Sequence, residues 1–122
     1  MPLKTLVLGA SPNPERYSFK AVNMLKKYGH PIKAVGMREA FIDDVQIQKG
    51  FPEYNDIDTI TLYIGPQNQN SFYNYILNLK SRRIIFNPGT HNTELIKLAK
   101  EKGIEIIEAC TLVLLSTNQY EN

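Results

Sequence analysis

Residues 7–18, Val-Leu-Gly-Ala-Ser-Pro-Asn-Pro-Glu-Arg-Tyr-Ser, are the stretch that decides the fold. A short apolar run ends at Gly9, small residues and two prolines follow, and a helical pattern begins immediately afterwards. This order is typical of a nucleotide-binding strand–turn–helix, because glycine and small side chains let a phosphate approach the backbone. The helix would direct its free N–H groups and its positive dipole end at that phosphate. The stretch departs from the dinucleotide fingerprint, since Ser11 and Asn13-Pro14 replace its later glycines and Arg16 stands at the mouth.

The composition of the whole chain indicates one domain covering residues 1–122, with an ordinary hydrophobic content of 43%. No apolar run approaches the roughly 20 residues that span a membrane, and the N-terminus lacks a secretory signature, so we expect a cytoplasmic protein without a membrane partner. The single cysteine, Cys110, excludes an internal disulfide and a cysteine-rich zinc site. A net charge of +2 is too small to indicate nucleic acid as a partner.

Strand-like and helix-like segments alternate along the chain. Continuous apolar or β-branched runs predict five strands, at residues 6–8, 32–35, 59–64, 83–86 and 104–107. Apolar residues at helical spacing predict three helices, at residues 21–28, 72–79 and 93–99. Thr93 is a suitable N-cap for the third helix.

Two segments are less regular. Residues 112–115 are interpreted as a sixth short strand or an irregular edge, and residues 36–57 show only weak β character, around Val45–Ile47. A β-α-β succession with short connections predicts an α/β fold, a Rossmann-like three-layer sandwich around a mostly parallel sheet of five or six strands.

Four turns of this predicted sheet should meet at one place. They cover residues 9–18, 36–39, 65–70 and 87–91, and all are rich in Gly, Pro, Asn or Ser. Each taken alone could be ordinary turn chemistry. Because ligands of such sheets bind beyond the carboxyl ends of the strands, the joint placement of the four turns predicts a ligand site there.

The residue that follows the second strand narrows the choice of nucleotide. NAD-binding domains usually place an acid there for the ribose hydroxyls, whereas this chain reads Val35-Gly36-Met37-Arg38, and its first acid is Glu39. An arginine favours a phosphorylated ribose. NADP, with a 2′-phosphate, and coenzyme A, with a 3′-phosphate, both qualify. The alternative is that Arg38 is a solvated surface arginine.

Several stretches of the sequence resemble a known family. Residues 9–18 resemble the opening turn of the small single-domain CoA-binding proteins, relatives of the N-terminal domain of the succinyl-CoA synthetase α subunit. The likeness continues through residues 58–64, 87–94 and 99–104, and Cys110 lies where small members often carry a cysteine. The resemblance implies a Rossmann-like fold and coenzyme A or an acyl-CoA as the ligand.

The resemblance also implies roles for individual residues. The first turn and the helix start would hold the pyrophosphate, Arg38 would meet the 3′-phosphate or adenosine end, residues 64–66 would flank the adenine, and residues 87–89 would face the pantetheine. The implied binding residues are Gly9, Ala10, Ser11, Asn13, Arg16, Tyr17, Ser18, Arg38, Ile64, Gly65, Pro66, Asn87, Pro88 and Gly89. Residues 39–44 depart from the family pattern, so contacts from residues 39–55 are not carried over, and Thr90 and His91 are no fixed part of it.

No group of reactive side chains predicts catalysis or a metal. His91 is interpreted as a solvent-facing loop residue, His30 as a helix-end cap and Cys110 as a buried residue rather than a reactive thiol. The paired acids Asp43-Asp44 lack a further ligand for a metal. Ser11 and Ser18 lack a recognisable base, and the first turn is no nucleophile elbow.

Three hypotheses on function remain. The first is non-enzymatic binding of coenzyme A or an acyl-CoA by a sensor, a carrier or a subunit. The second is an NADP-dependent oxidoreductase or a relic of one, which the absence of a substrate half and of a catalytic acid weakens. The third is a protein-interaction module on a Rossmann scaffold. An exposed sheet edge could also pair with a second copy or with a protein partner.

Overall fold

A computed structural model describes residues 2–122 and confirms the α/β, Rossmann-like class. Its single sheet has the strand order β3-β4-β2-β1-β5-β6-β7, and only β3 runs antiparallel to its neighbour. The strands are β1 (Thr5–Ala10), β2 (Ile32–Gly36), β3 (Ala40–Ile42), β4 (Val45–Gln48), β5 (Thr59–Leu62), β6 (Arg83–Phe86) and β7 (Glu105–Glu108).

Helices cover both faces of this sheet. They are α1 (Tyr17–Lys27), α2 (Tyr73–Asn78), α3 (Thr93–Glu101) and α4 (Thr111–Ser116), with two 3₁₀ turns at Pro66–Asn68 and Asn70–Phe72. One core cluster joins the sheet to Ile76 of α2 and Leu95 of α3. The other joins it to Leu25 of α1 and Leu115 of α4. The apolar stripes of the helices thus bury the two sides of the sheet, as in a three-layer sandwich.

The strand order reverses between β1 and β5. From β1 the chain moves outward through β2 to the hairpin of β3 and β4, and it then returns to β5 and moves outward the other way to β6 and β7. Such a reversal leaves a crevice beyond the carboxyl ends of the two central strands. The predicted turns after β1, β2, β5 and β6 all end at this edge.

The sheet has seven strands rather than five or six because the irregular stretch forms an edge hairpin. The weak β character at Val45–Ile47 is confirmed as β4, and β3 lies antiparallel beside it, with Asp43 in the connecting turn at φ 51°. Only Ile42 and Ile47 of this hairpin are buried. One buried residue in each short strand gives too weak a pattern to be recognised in the sequence.

Two other predictions are wrong. Residues 112–115 form most of α4 and no strand, and Thr111 and Leu115, one helical turn apart, are its buried residues. The N-cap of α3 is Asn92, whose side-chain oxygen accepts hydrogen bonds from the N–H groups of Glu94 and Leu95. Thr93 is therefore the first helical residue rather than the cap.

The amino edge of the sheet is closed by the C-terminal segment. Tyr120 is 2% exposed and shares a hydrogen bond of 2.5 Å with the Thr5 hydroxyl. Arg83, 1% exposed, donates to the Tyr120 carbonyl at 2.6 Å, and its guanidinium lies 4.6 Å from the centre of the Tyr120 ring. This buried polar cluster fixes the C-terminal segment to β1 and β6.

His30 caps the end of α1 through its backbone, whose N–H donates a hydrogen bond of 3.0 Å to the Leu25 carbonyl, and its side chain belongs to this amino-edge cluster. Its Nδ1 accepts a hydrogen bond of 2.9 Å from the Leu3 N–H, and its ring packs 4.8 Å from that of Tyr120. The residue is 5% exposed, and burial lowers the pKa of its imidazole. No helix within residues 2–122 combines the length and apolar character that crossing a membrane requires.

Candidate ligand site at the carboxyl edge of the sheet

Gly9 allows β1 to end against the neighbouring strand. It has φ +100°, and a β-carbon there would lie 2.9 Å from the carbonyl carbon of Tyr63, which follows β5. A side chain would therefore force the two central strands apart at their carboxyl ends. Because Gly9 has no side chain, the backbone of the opening turn is uncovered and lies close to the point where the strand order reverses.

Gly36 allows a similarly close approach between β1 and β2. A β-carbon at this position would overlap the carbonyl oxygen of Ala10 and lie 2.9 Å from the Ile47 side chain. The register of the two strands shifts at this level, so that Ala10 stands beside Gly36. Our prediction placed Gly36 in a turn and gave it no role, because its φ is negative and only the packing shows the need for glycine.

Side chains of the opening loop are used to hold its shape. The Ser11 hydroxyl accepts a hydrogen bond of 3.1 Å from the Asn13 N–H, and the Asn13 side chain accepts one of 3.0 Å from the Glu15 N–H. The Arg16 N–H then donates to the Asn13 carbonyl at 3.0 Å. Ser11 and Asn13 thus stabilise the turn, and their backbone is what the loop presents to a ligand.

The start of α1 is left open to an anion. Arg16 occupies the N-cap position with extended backbone and no capping hydrogen bond from its side chain, and the first turn has no acidic residue. Ser18, in the first turn of the helix, is 3% exposed. Uncapped N–H groups and the helix dipole favour a negatively charged group at this position. Tyr17, 66% exposed, stands beside it with the Lys20 ammonium 5.3 Å from its ring centre.

Arg38 extends from the loop after β2 and is exposed. It forms no ion pair with any residue of the described chain 2–122. Its guanidinium is therefore free to form a bidentate contact with a phosphate group.

A buried amide joins the third and fourth loops. Gln69 is 0% exposed, and its Nε2 donates to the carbonyls of Ile64 at 2.9 Å and Thr90 at 2.8 Å. Its Oε1 accepts a hydrogen bond of 2.9 Å from the side chain of Asn92. These contacts fix the backbone around Gly65 and Pro66 relative to the loop after β6. No local sequence signal identifies Gln69, since a glutamine in a polar loop is usually exposed.

Asn87 faces the protein rather than the crevice. Its Nδ2 donates to the Thr61 hydroxyl at 2.8 Å and to the Leu62 carbonyl at 2.9 Å, while its Oδ1 accepts from the Thr111 N–H at 2.9 Å. All the polar atoms of this side chain are used, so Asn87 positions the fourth loop. Pro88 and Gly89, which follow it, are exposed, and Gly89 has φ +89°.

His91, Tyr63 and Cys110 are the reactive side chains that the sequence places at or near this edge. His91 Nδ1 lies 2.5 Å from a Glu108 oxygen, with both side chains more than half exposed, and its Nε2 lies 3.3 Å from the Thr93 hydroxyl. Burial raises the pKa of Tyr63 to about 12, so that its phenol keeps its proton at neutral pH. Cys110 is partly exposed, so its predicted burial is wrong. Within residues 2–122, no three His, Cys, Asp or Glu side chains are grouped to hold a metal.

A cavity of about 440 Å³ lies elsewhere, where β2 and β4 begin. Its charged lining is already paired, since Lys26 and Asp44 form an ion pair of 2.6 Å and the Lys33 ammonium lies 5.6 Å from the Tyr54 ring centre. The cavity is thus separate from the four loops of the predicted site.

Known proteins match this chain in sequence and in fold. The chain matches the family of the CoA binding domain over residues 4–116. It is 47% identical to an uncharacterized protein of known crystal structure, with a TM-score of 0.95 over 98% of both chains. Among curated proteins, none matches the chain.

More distant structures share the fold alone. A hypothetical protein from Pyrococcus horikoshii OT3 is 20% identical, with a TM-score of 0.84 over 93% of this chain and 81% of that one. A putative oxidoreductase from Bacteroides fragilis is 15% identical, with a TM-score of 0.57 over 97% of this chain and 41% of that one.

The protein is thus an α/β domain with a nucleotide-type opening turn, and it belongs to the CoA-binding domain family. The predicted resemblance is confirmed. The family supports a ligand of the coenzyme A type and gives no support to NADP.

Proposed function

We propose that this protein binds coenzyme A or an acyl-CoA at the carboxyl edge of its sheet and does not transform it, acting as a sensor, a carrier or a subunit of a larger assembly. The observation that supports this most is the open start of α1, which lacks a side-chain cap and an acid and lies directly after the bare turn at Gly9. A pyrophosphate is the group that such a helix start accepts well.

The proposed contacts follow the four loops. The backbone of residues 9–11 lies under the pyrophosphate, with Arg16, Tyr17 and Ser18 beside it. Arg38 binds the 3′-phosphate, residues 64–66 flank the adenine, and Pro88 and Gly89 face the pantetheine. Ser11, Asn13 and Asn87 contribute by holding their loops, since their side chains bond to the protein.

We propose no reaction on the bound ligand. Hydrolysis or transfer of an acyl group needs a positioned base or nucleophile near the thioester. His91 is exposed and pairs with Glu108, and the buried Tyr63 phenol keeps its proton at neutral pH, so we assign neither as the base or nucleophile of a reaction. A sensor or subunit also needs a protein partner, and the outer edges of β3 and β7 are the strand edges open to one.

Calorimetry with coenzyme A and dephospho-CoA tests the assignment of Arg38. One charge-assisted contact contributes about 1.5–3 kcal/mol, so the wild type should bind coenzyme A roughly 10 to 150 times more tightly than dephospho-CoA. Arg38→Ala should remove most of that difference. Lys97→Ala, which deletes an exposed cation on α3, is the matched control and should leave the difference intact.

Several outcomes would contradict the proposal. Equal affinity for the two ligands in the wild type would refute the 3′-phosphate contact. Binding of NADP without binding of coenzyme A would favour the oxidoreductase hypothesis, and binding of neither at millimolar concentration would leave the interaction module. Mass spectrometry of the ligand retained on purification would identify the acyl group.

A further inference from the structure

An aromatic cluster lies where the chain leaves β4. The ring centre of Phe51 is 5.2 Å from that of Phe72 and 5.5 Å from that of Tyr75, with the ring planes inclined by 59° and 61°. Phe51 nevertheless remains 55% exposed. Two inclined contacts therefore hold a large apolar ring whose remaining surface faces solvent.

The backbone beside this ring is fixed as well. Gly50 turns the chain at φ +78°, and the Tyr75 hydroxyl donates a hydrogen bond of 2.6 Å to the carbonyl of Pro52. Burial raises the pKa of Tyr75 to about 12, so this donor keeps its proton at neutral pH. The Phe51 ring is thus oriented before any ligand arrives, which reduces the entropy that a stacked partner would have to overcome.

The cluster lies between two loops of the candidate site. β4 ends at Gln48, which pairs with Val35 of β2, so residues 49–51 leave the sheet at the edge from which the Arg38 loop also leaves. Phe72 ends the two 3₁₀ turns that begin at Pro66. Phe51 therefore connects the loop proposed to hold the 3′-phosphate with the loop proposed to flank the adenine.

We infer that Phe51 is the stacking surface for the adenine ring of the bound nucleotide, an assignment that rests on the proposed binding of coenzyme A. An exposed and immobilised aromatic ring binds a purine through its face, without reading the edge of the base. With Arg38 on the ribose phosphate, it would recognise the adenosine 3′-phosphate end of the ligand as a unit. Residues 39–55, to which the family resemblance assigns no role, would then contribute this contact.

Calorimetry with coenzyme A and adenosine 3′,5′-bisphosphate tests this inference, because the second ligand carries the base without the pantetheine. Phe51→Leu should lower the affinity for both ligands by the same factor, on the order of tenfold, and Phe51→Tyr should retain the wild-type affinity. Phe41→Leu is the matched control, since Phe41 is 64% exposed on β3 and lies outside the cluster. It should change neither affinity.

The outcomes separate the inference from the function on which it rests. If Phe51→Leu binds coenzyme A as tightly as the wild type, the stacking role is wrong and the proposed function stands. A loss for coenzyme A alone would place Phe51 against the pantetheine and also overturn the inference. Failure of the wild type to bind either ligand would overturn the proposed function itself.

A second measurement needs no variant. In the saturated complex of the wild type with coenzyme A, the adenine H2 or H8 proton should show nuclear Overhauser contacts with the Phe51 ring protons. Their absence in a complex whose other adenine contacts are observed would refute the stacking role, even if Phe51→Leu proved unstable.

Discussion

The two edges of the sheet differ in the polar groups that they leave without a partner. At the amino edge, Arg83 and His30 are buried and bonded within the protein. Arg83 donates to Thr59 and Tyr120, and His30 accepts from the Leu3 N–H. At the carboxyl edge, Arg38 is exposed without an ion pair within residues 2–122, and the start of α1 has no cap. Groups satisfied inside the protein stabilise it, whereas groups left over are available to a ligand. The difference separates residues needed for stability from those proposed for binding.

The largest expected effect concerns the amino edge. Tyr120→Ala removes a ring that is 2% exposed and leaves Thr5 and Arg83 without their contacts, so unfolding free energy should fall by about 3–5 kcal/mol. Affinity for coenzyme A, measured under conditions where the variant is folded, should be unchanged. Tyr17→Ala is the matched control at the other edge, because its ring is 66% exposed.

Urea denaturation and calorimetry on both variants check this contrast. Tyr17→Ala should change the free energy of unfolding by less than about 0.5 kcal/mol and should lower the affinity for coenzyme A. A large loss of affinity in folded Tyr120→Ala would show that the two edges are coupled and would contradict this prediction.

Substitution of Gly36 is expected to affect both the packing of the sheet and the affinity for the ligand. Gly36→Ala places a methyl group against the Ala10 carbonyl and should cost about 1–3 kcal/mol in unfolding free energy, together with a loss of affinity as the opening turn moves. Gly65→Ala is the control, since its β-carbon would meet only the flexible end of Gln67, at 3.0 Å. Equal stability losses in the two variants would contradict the close approach of β1 and β2.

A smaller effect is expected from the pH dependence of stability. The pKa of His30 lies below its usual 6.5, and burial is the main cause. The positive charges of the amino terminus and Arg83 also lower this pKa, whereas the negative charge of Glu121 raises it. The folded protein therefore resists protonation of His30, and protonation at Nδ1 would remove the acceptor of the Leu3 N–H. The stability gained from neutral His30 is complete above the usual pKa and is lost as the pH falls below it.

Denaturation midpoints measured between about pH 7.5 and about pH 5.5 test this dependence, in a window where carboxylates stay ionised. His30→Gln should reduce the fall in stability, and His91→Gln, which alters an exposed histidine, should retain it. An unchanged pH slope in His30→Gln would refute the role of His30.

Elements whose signal is local could be predicted from the sequence. The buried parallel strands read as continuous apolar runs, and Gly9 with its following loop marked the switch point, so the fold class and the four loops could be predicted. The run Leu112–Leu115 was predicted as a short strand or an irregular edge, and this was wrong because four consecutive apolar residues do not by themselves separate a buried strand from a short helix. Its place after β7, against α1, makes it a helix.

Long-range burial accounts for the rest. Gln69, His30 and Asn87 are polar residues in or next to turns, and their roles depend on partners more than 20 positions away, such as Thr90 for Gln69 and Leu3 for His30. Nothing in the local sequence distinguishes such residues from exposed turn residues. The need for glycine at position 36 likewise comes from packing against another strand.

The most direct test of the contrast between the edges is an NMR titration of the ¹⁵N-labelled protein with coenzyme A. Amide shifts should concentrate in the loops after β1, β2, β4, β5 and β6, with the largest changes at the start of α1 from Arg16 to Ser18. Amides of Thr5, His30 and Tyr120 at the amino edge should not move. Saturable shifts centred on the amino edge, with the opening turn unaffected, would contradict it.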